Sequence, residues 1–221
     1  MSATRVKICC IASGEEARRA AGAGAELLGL VGPMPSGPGV LTLAQAAEIA
    51  ANAPETARPV LLTSSGTAAG IAAQAAQVGV TAVQVVRHIA PAEARALAAS
   101  GLDYVQVVHV EGRDCLDLID VYGGHCTAFL LDSGRPSGAE LGGTGRVHDW
   151  GVSAQFRRRS PRPVFLAGGL TPDNVAEAIA QVRPAGVDIC SGLRRNGALD
   201  PGLLAAFMAA VRGVPQEGAA P

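Results

Sequence analysis

What this chain of 221 residues lacks narrows its functions before any motif is read. It carries no excess of charge of either sign: 18 Lys and Arg stand against 19 Asp and Glu, a formal net charge of −1. Nothing electrostatic favours a nucleic-acid backbone or an anionic membrane surface, so neither is expected as a partner. It also has no apolar stretch of about 20 residues free of Gly, Gln or charge, which a membrane-spanning helix would need. No charged-then-apolar leader precedes the first strand-like run, and a cytoplasmic location is expected. The five cysteines are odd in number and irregularly spaced, with no C-x-x-C pair. That argues against a disulfide framework and against structural zinc. The four histidines, His88, His109, His125 and His148, show no ligand spacing. They are expected on the surface or in loops, and no metal is expected.

What is present is a rhythm. Hydrophobic residues make up 48% of the chain, and short β-branched or apolar runs recur, each followed by an Ala-rich stretch of helical spacing and a turn signal. Eight runs read as strands: RVKICCI, ELLGLVG, PVLLTSS, TAVQVV, YVQVVHV, AFLLDS, PVFLAGG and VDICSG. Helical intervals include residues 14–21, 43–51, 67–78, 91–99 and 172–182, several opening with Ser, Thr or Pro. Alternation of this kind demands a parallel sheet with right-handed crossovers. Eight strands at this length predict a single-domain α/β fold, a (β/α)8 TIM barrel over residues 1–213, with 214–221 a frayed tail. The segment GAGAEL at Gly22 to Leu27 lacks the third glycine and the strand-first context of a dinucleotide turn, so it reads as a helix end. Residues 133–151 read as a long loop after strand six.

In such a barrel the chemistry sits where the strands end. Strand one closes with Cys9 and Cys10, strand six with Asp132 and Ser133, strand seven with Gly168 and Gly169, strand eight with Ser191 and Gly192. Period-two alternation puts Lys7 and Cys9 on one face and Ile8 and Cys10 on the other. Cys9 is therefore expected at the barrel mouth. Cys10 is expected behind the strand, packed against helices and unbridged to Cys9. Cys115, Cys126 and Cys190 are likewise expected as packing. A thiolate and a carboxylic acid facing each other across a mouth can move a proton between neighbouring substrate atoms, which is isomerase chemistry. Lys7, one pleat below Cys9, and Asp188 on strand eight are placed to tune the thiol and to contact the substrate. Read alone, Cys9 also fits inert packing and Asp132 a helix cap. The Gly-Gly and Ser-Gly pairs on neighbouring strands predict a backbone cradle for phosphate, hence a small phosphorylated substrate.

Several stretches resemble the phosphoribosylanthranilate isomerase family of tryptophan biosynthesis. They are KIC at Lys7 to Cys9, GAGAELLGLV, LLDS at Leu130 to Ser133, GGTGRVHDW at Gly142 to Trp150, LAGGLTPDNV at Leu166 to Val175 and VDICSG at Val187 to Gly192. The resemblance implies a (β/α)8 enzyme performing an Amadori rearrangement, with Cys9 as general base and Asp132 as general acid. Gly168, Gly169, Ser191 and Gly192 would hold the phosphate, and the Gly142 to Gly145 loop, with Gly142 and Gly143, would close over the substrate. It implies no cofactor; a monomer or homodimer is expected. The sequence departs from the family where the aromatic acid is read. Gly39, in SGPGVLT, stands where an arginine usually binds the anthranilate carboxylate, KICG has become KICC, and strands three and four end LTSS and QVVR. Arg87 and Arg194 are the candidate replacement cations. Two functional classes follow: an isomerase for a phosphoribosylated arylamine, or a diverged barrel that binds a phosphorylated ligand without turnover.

Overall fold

The eight apolar runs form strands because each buries both of its faces, as the fully buried Leu27–Val31 strand shows, and only a parallel sheet covered by helices offers that environment. The structure is a computed structural model in which residues 4–35, 38–133 and 148–215 are described. The strands are β1 Arg5–Ile8, β2 Leu27–Val31, β3 Arg58–Thr63, β4 Ala82–Val85, β5 Asp103–His109, β6 Ala128–Asp132, β7 Val164–Leu166 and β8 Gly186–Ile189. They pair in sequence order, and β8 pairs β1 from Arg5 with Gly186 to Ile8 with Ile189, which closes the barrel.

Helices α1 Gly14–Ala23, α2 Leu43–Ala51, α3 Ala68–Val78, α4 Pro91–Ala98, α5 Leu118–Tyr122, α6 Trp150–Arg159, α7 Val175–Val182 and α8 Pro201–Arg212 surround it. Their starts are chemically marked. Ser13, Thr67 and Asp200 accept from backbone N–H groups of the first turn, and Thr42 with Gln45 forms a reciprocal capping box. Gly24 and Gly79, both left-handed, end α1 and α3. The loop expected over 133–151 ends earlier, because Asp149 accepts from the N–H groups of Gly151 and Val152 and starts α6 at Trp150. Of the expected tail, 214 and 215 follow α8, and 216–221 lie outside the described residues.

Packing divides into two layers. Ile8, Leu28, Leu30, Leu61, Phe129 and Leu131 point outward against the helices. Leu27, Val60, Leu62, Val107, Leu130 and Phe165 fill the interior. Each such burial contributes about 1.5–3 kcal/mol. Phe165 packs at the lower end: a β-carbon on neighbouring Gly186 would collide with its ring, and the Arg5 guanidinium lies 5.6 Å from the ring centroid. Among the described residues no helix is long and apolar enough to cross a membrane.

Candidate active site

β1 places Lys7 and Cys9 on the inner face, as the alternation required. The Lys7 Nζ donates to Asp188 Oδ2 at 2.9 Å, and both side chains are almost wholly buried. Glycine at position 29 makes room for them. A β-carbon there would lie 2.8 Å from Cys9 Sγ and 3.0 Å from Lys7 Nζ. Gly29 was not singled out from the sequence, although a glycine interrupting a Leu and Val strand signals a close approach.

The thiol is not activated by its lysine alone. Burial pushes Cys9 up, Lys7 pulls it down and Asp188 pushes it back, leaving the thiol at about 11. The expected lowering by Lys7 is thus outweighed, because the ammonium is already paired. For Lys7 itself, burial pulls the ammonium down, but attraction to Asp188 and Cys9 prevails and holds it above its usual range. Burial also raises the Asp188 carboxyl, against Lys7. Its Oδ1 has no protein partner, and neither do two other buried atoms, Gln84 Oε1 and His109 Nδ1. Buried polar atoms demand partners, and a polar ligand would satisfy them.

Cys10 departs from its expected place. β1 ends at Ile8, and Cys10 adopts φ 60, the left-handed region, so the alternation breaks at this residue. Cys10 joins Cys9 in the interior cluster, while Ile11 packs against the helices. It forms a disulfide with Cys190, at a Cα separation of 5.9 Å. The expectation that Cys10 and Cys190 are packing thiols is corrected, while that of no Cys9–Cys10 bridge agrees with the structure: strand exits 180 residues apart in sequence meet at the mouth. Cys9, Cys115 and Cys126 remain free. Gly39, itself at φ 70, lies over this pair, and a β-carbon on it would fall 3.0 Å from Cys10 Cβ.

Asp132 ends β6 with Ser133 N–H donating to its Oδ1 at 2.7 Å. Burial raises its carboxyl, partly offset by that N–H and by His109. Lys7 and Asp188 also act on it, which ties the acid electrically to the Cys9 side of the barrel. His109 was expected on the surface or in a loop. It is buried at the end of β5, in register with Asp132, and its Nε2 lies 3.1 Å from the Val86 carbonyl. A carbonyl only accepts, so Nε2 carries the proton and Nδ1 is an acceptor in the neutral ring. The period-two pattern Val105, Val107, His109 would have placed it inside.

At strand seven, Gly168 and Gly169 have φ 77 and 65. A β-carbon on Gly168 would lie 2.8 Å from the Ser133 nitrogen, so this turn presses against the end of β6. Asn174, not noticed in the sequence, braces it by donating to the Gly169 carbonyl and accepting from Thr171 N–H. Ser191 and Gly192 lie in a 3-10 turn, Ser191–Leu193, where a β-carbon on Gly192 would strike the Leu170 carbonyl. The two turns therefore touch, as a shared anion cradle requires. Gly142 and Gly143 lie outside the described residues. Arg194 pairs with Glu16 at 3.1 Å and donates to the carbonyls of Cys10 and Gly197. Arg87 is exposed beyond β4, with one long contact, 3.4 Å, to the Ser64 carbonyl. Among the described residues no group of three His, Cys, Asp or Glu could hold a metal ion.

The chain and its fold are similar to known proteins. A family model described as N-(5'phosphoribosyl)anthranilate (PRA) isomerase matches residues 6–210. A relative of that name from Haloferax volcanii is 34% identical over 215 residues, 95% of this chain and 93% of its own. The crystal structure of phosphoribosyl anthranilate isomerase from Thermotoga maritima superposes with TM-score 0.83 at 27% identity, covering 95% of this chain and 99% of its own. Another solved isomerase holds reduced 1-(o-carboxyphenylamino)-1-deoxyribulose 5-phosphate and superposes with TM-score 0.81 at 26% identity, covering 95% and 99%. With a matched span running from β1 into α8, the chain belongs to the phosphoribosylanthranilate isomerase family.

Proposed function

We propose that the chain converts N-(5'-phosphoribosyl)anthranilate, an aminoaldose, into the corresponding 1-deoxyribulose aminoketose. The observation that carries this reading is the pairing of a buried thiol over the Lys7–Asp188 ion pair with a carboxyl, Asp132, held above its usual range. A raised carboxyl keeps its proton and can donate it, as a general acid must. Asp132 protonates the furanose oxygen, the C–O bond breaks, and the amine lone pair forms an iminium with C1′. Cys9, as thiolate, removes the proton from C2′, and those electrons neutralise the iminium. The resulting enolamine tautomerises to the ketone. The thiol at about 11 is protonated at neutral pH, so it must first release that proton to solvent, and the iminium charge beside it is what favours the resulting thiolate during the step.

Asp188 Oδ1 accepts from a ribose hydroxyl, and the Gly168–Gly169 and Ser191–Gly192 turns hold the phosphate through backbone N–H groups. Arg194 is committed to Glu16 and Cys10, which leaves Arg87 as the cation for the anthranilate carboxylate. The protein works in the cytoplasm as a monomer or homodimer, which sedimentation distinguishes. Loss of substrate fluorescence on incubation with enzymatically generated phosphoribosylanthranilate tests the activity. Phosphate binding without that loss would establish the other class, a binding protein without turnover.

A further inference from the structure

We propose that Cys10 and Cys190 are a reversible oxidation site that sets the grip of the phosphate turn; the coupling rests on the phosphate assignment above. The two residues leave adjacent strands, β1 and β8, whose chains are already tied by Cys9 N–H donating to the Ile189 carbonyl at 2.8 Å. Their Cα separation of 5.9 Å allows a bridge without movement of either strand.

Three features hold Cys10 in the bridging position. Its φ of 60 is a conformation that residues bearing a β-carbon avoid, and it turns the side chain inward to face Cys190. Arg194, anchored on Glu16, donates to the Cys10 carbonyl and fixes that peptide. Gly39 lies against the Cys10 β-carbon, where any larger residue would be in contact with it. Neither Cys10 nor Cys190 has a part in the proton transfers, and the base Cys9 stays free.

Cys190 is only half-buried, whereas Cys10 is buried, so Cys190 is the thiol that meets the oxidant. The oxidant class is a low-molecular-weight disulfide. The Cys190 thiolate attacks one sulfur, expelling one thiolate and leaving a mixed disulfide. The Cys10 thiolate then attacks Cys190 Sγ, expelling the second thiolate. Two protein thiols lose two electrons and two protons, and the small disulfide becomes two thiols; the reverse steps reduce the bond. Cys190 immediately precedes the Ser191–Leu193 turn and its carbonyl accepts from Leu193 N–H at 3.2 Å. The bond thus pins the residue that leads into the phosphate cradle to the strand that carries the proposed base. Reduction frees that residue and loosens the cradle.

The test uses the full chain equilibrated in glutathione buffers of graded poise, with peptide mapping of its disulfides, calorimetric titration with inorganic phosphate and thermal unfolding. A Cys10–Cys190 bond should form and disappear reversibly while Cys9, Cys115 and Cys126 stay thiols. The oxidised form should bind phosphate about 5-fold more tightly, and should unfold roughly 5 °C or more higher, as closing a long loop predicts. Cys190→Ser and Cys10→Gly, the latter suited to the left-handed backbone, should both bind phosphate as the reduced protein does at every poise. Cys115→Ser should keep the response. No Cys10–Cys190 peptide at any poise, or a bridge that instead includes Cys9, would overturn the site. A reversible bond with equal phosphate affinity in both states would overturn the coupling. Phosphate binding to neither state would instead remove the phosphate assignment, and with it the coupling, leaving the oxidation site established by the mapped bond.

Discussion

The two halves of the barrel mouth are built differently. From β6 through β8 to β1 the described candidate groups are braced: Asp132 by Ser133, Lys7 by Asp188, the glycine turns by Asn174 and by each other, with Lys7, Cys9 and Asp188 buried, Asp132 and the turn glycines half-buried, and Ser191 exposed. From the end of β2 to the end of β4 the rim is looser, with Val40 and Arg87 exposed and Gly39 offering no side chain. The first half offers the fixed positions that the proposed proton transfers and phosphate contacts need. The second has little that fixes an aromatic acid. On the proposed assignment, proton transfer and aryl recognition fall on separate arcs, and the difference in build between the arcs implies that each can be altered without the other.

The sharpest way to test that division is to remove the proton-transfer groups. Cys9→Ser or Asp132→Asn should each lower kcat by about 10²-fold or more with circular dichroism unchanged. A variant with near-wild-type turnover would show that the arc does not do the chemistry. Next in size is the support beneath it. Lys7→Met leaves Asp188 buried without its partner and should cost about 3–5 kcal/mol of stability in a urea titration, the usual scale for breaking a buried pair. The combined Lys7→Met and Asp188→Leu protein should recover most of that loss while remaining inactive.

On the looser arc, Arg87→Ala should raise KM for phosphoribosylanthranilate by about 10-fold, the lower end of a charged hydrogen bond, and leave the affinity for inorganic phosphate unchanged. Equal kcat/KM for anthranilate and carboxylate-free aniline adducts in the wild type would show that no cation reads the carboxylate. The smallest effect concerns pH. Only the thiolate reacts with iodoacetamide, and the Cys9 thiol titrates at about 11. Its alkylation rate should therefore climb throughout pH 7–10 and level only near 11. Levelling at pH 8 would mean that Lys7 outweighs burial after all. Cys115, also pushed up to about 11, should show the same profile. The proposed base is set apart from a packing thiol by its neighbours rather than by its resting acidity.

The sequence made the first arc legible because its residues end strands, and strand ends follow from alternation. Lys7, Cys9, Asp132 and Asp188 face inward for that reason alone. Alternation failed at Cys10, where one left-handed residue turned a side chain from the helices to the mouth. It was not applied to His109, whose place two residues beyond Val107 would have predicted its burial. The Cys10–Cys190 bond and the engagement of Arg194 with Glu16 join positions 180 and 178 residues apart. No local pattern encodes such pairings; they exist only once the barrel has closed β8 onto β1. Among the helices, α1 to α4 and α7 were read from helical spacing with Ser, Thr or Pro near their starts, whereas α8, which also opens with Pro201, was not. The five-residue α5, without a side-chain cap, was not.

The packed interior of the barrel has a kinetic consequence. With Leu27, Val60, Leu62, Val107, Leu130 and Phe165 packed inside the barrel and Arg5 laid over the Phe165 ring, the candidate groups at the strand ends are reached through the mouth. Product must depart by the path on which the next substrate arrives, and the two differ only in where one carbonyl and one ring bond lie. Traffic through that opening is therefore exclusive, and accumulated aminoketose should slow turnover by competing directly with substrate rather than by lowering the maximal rate.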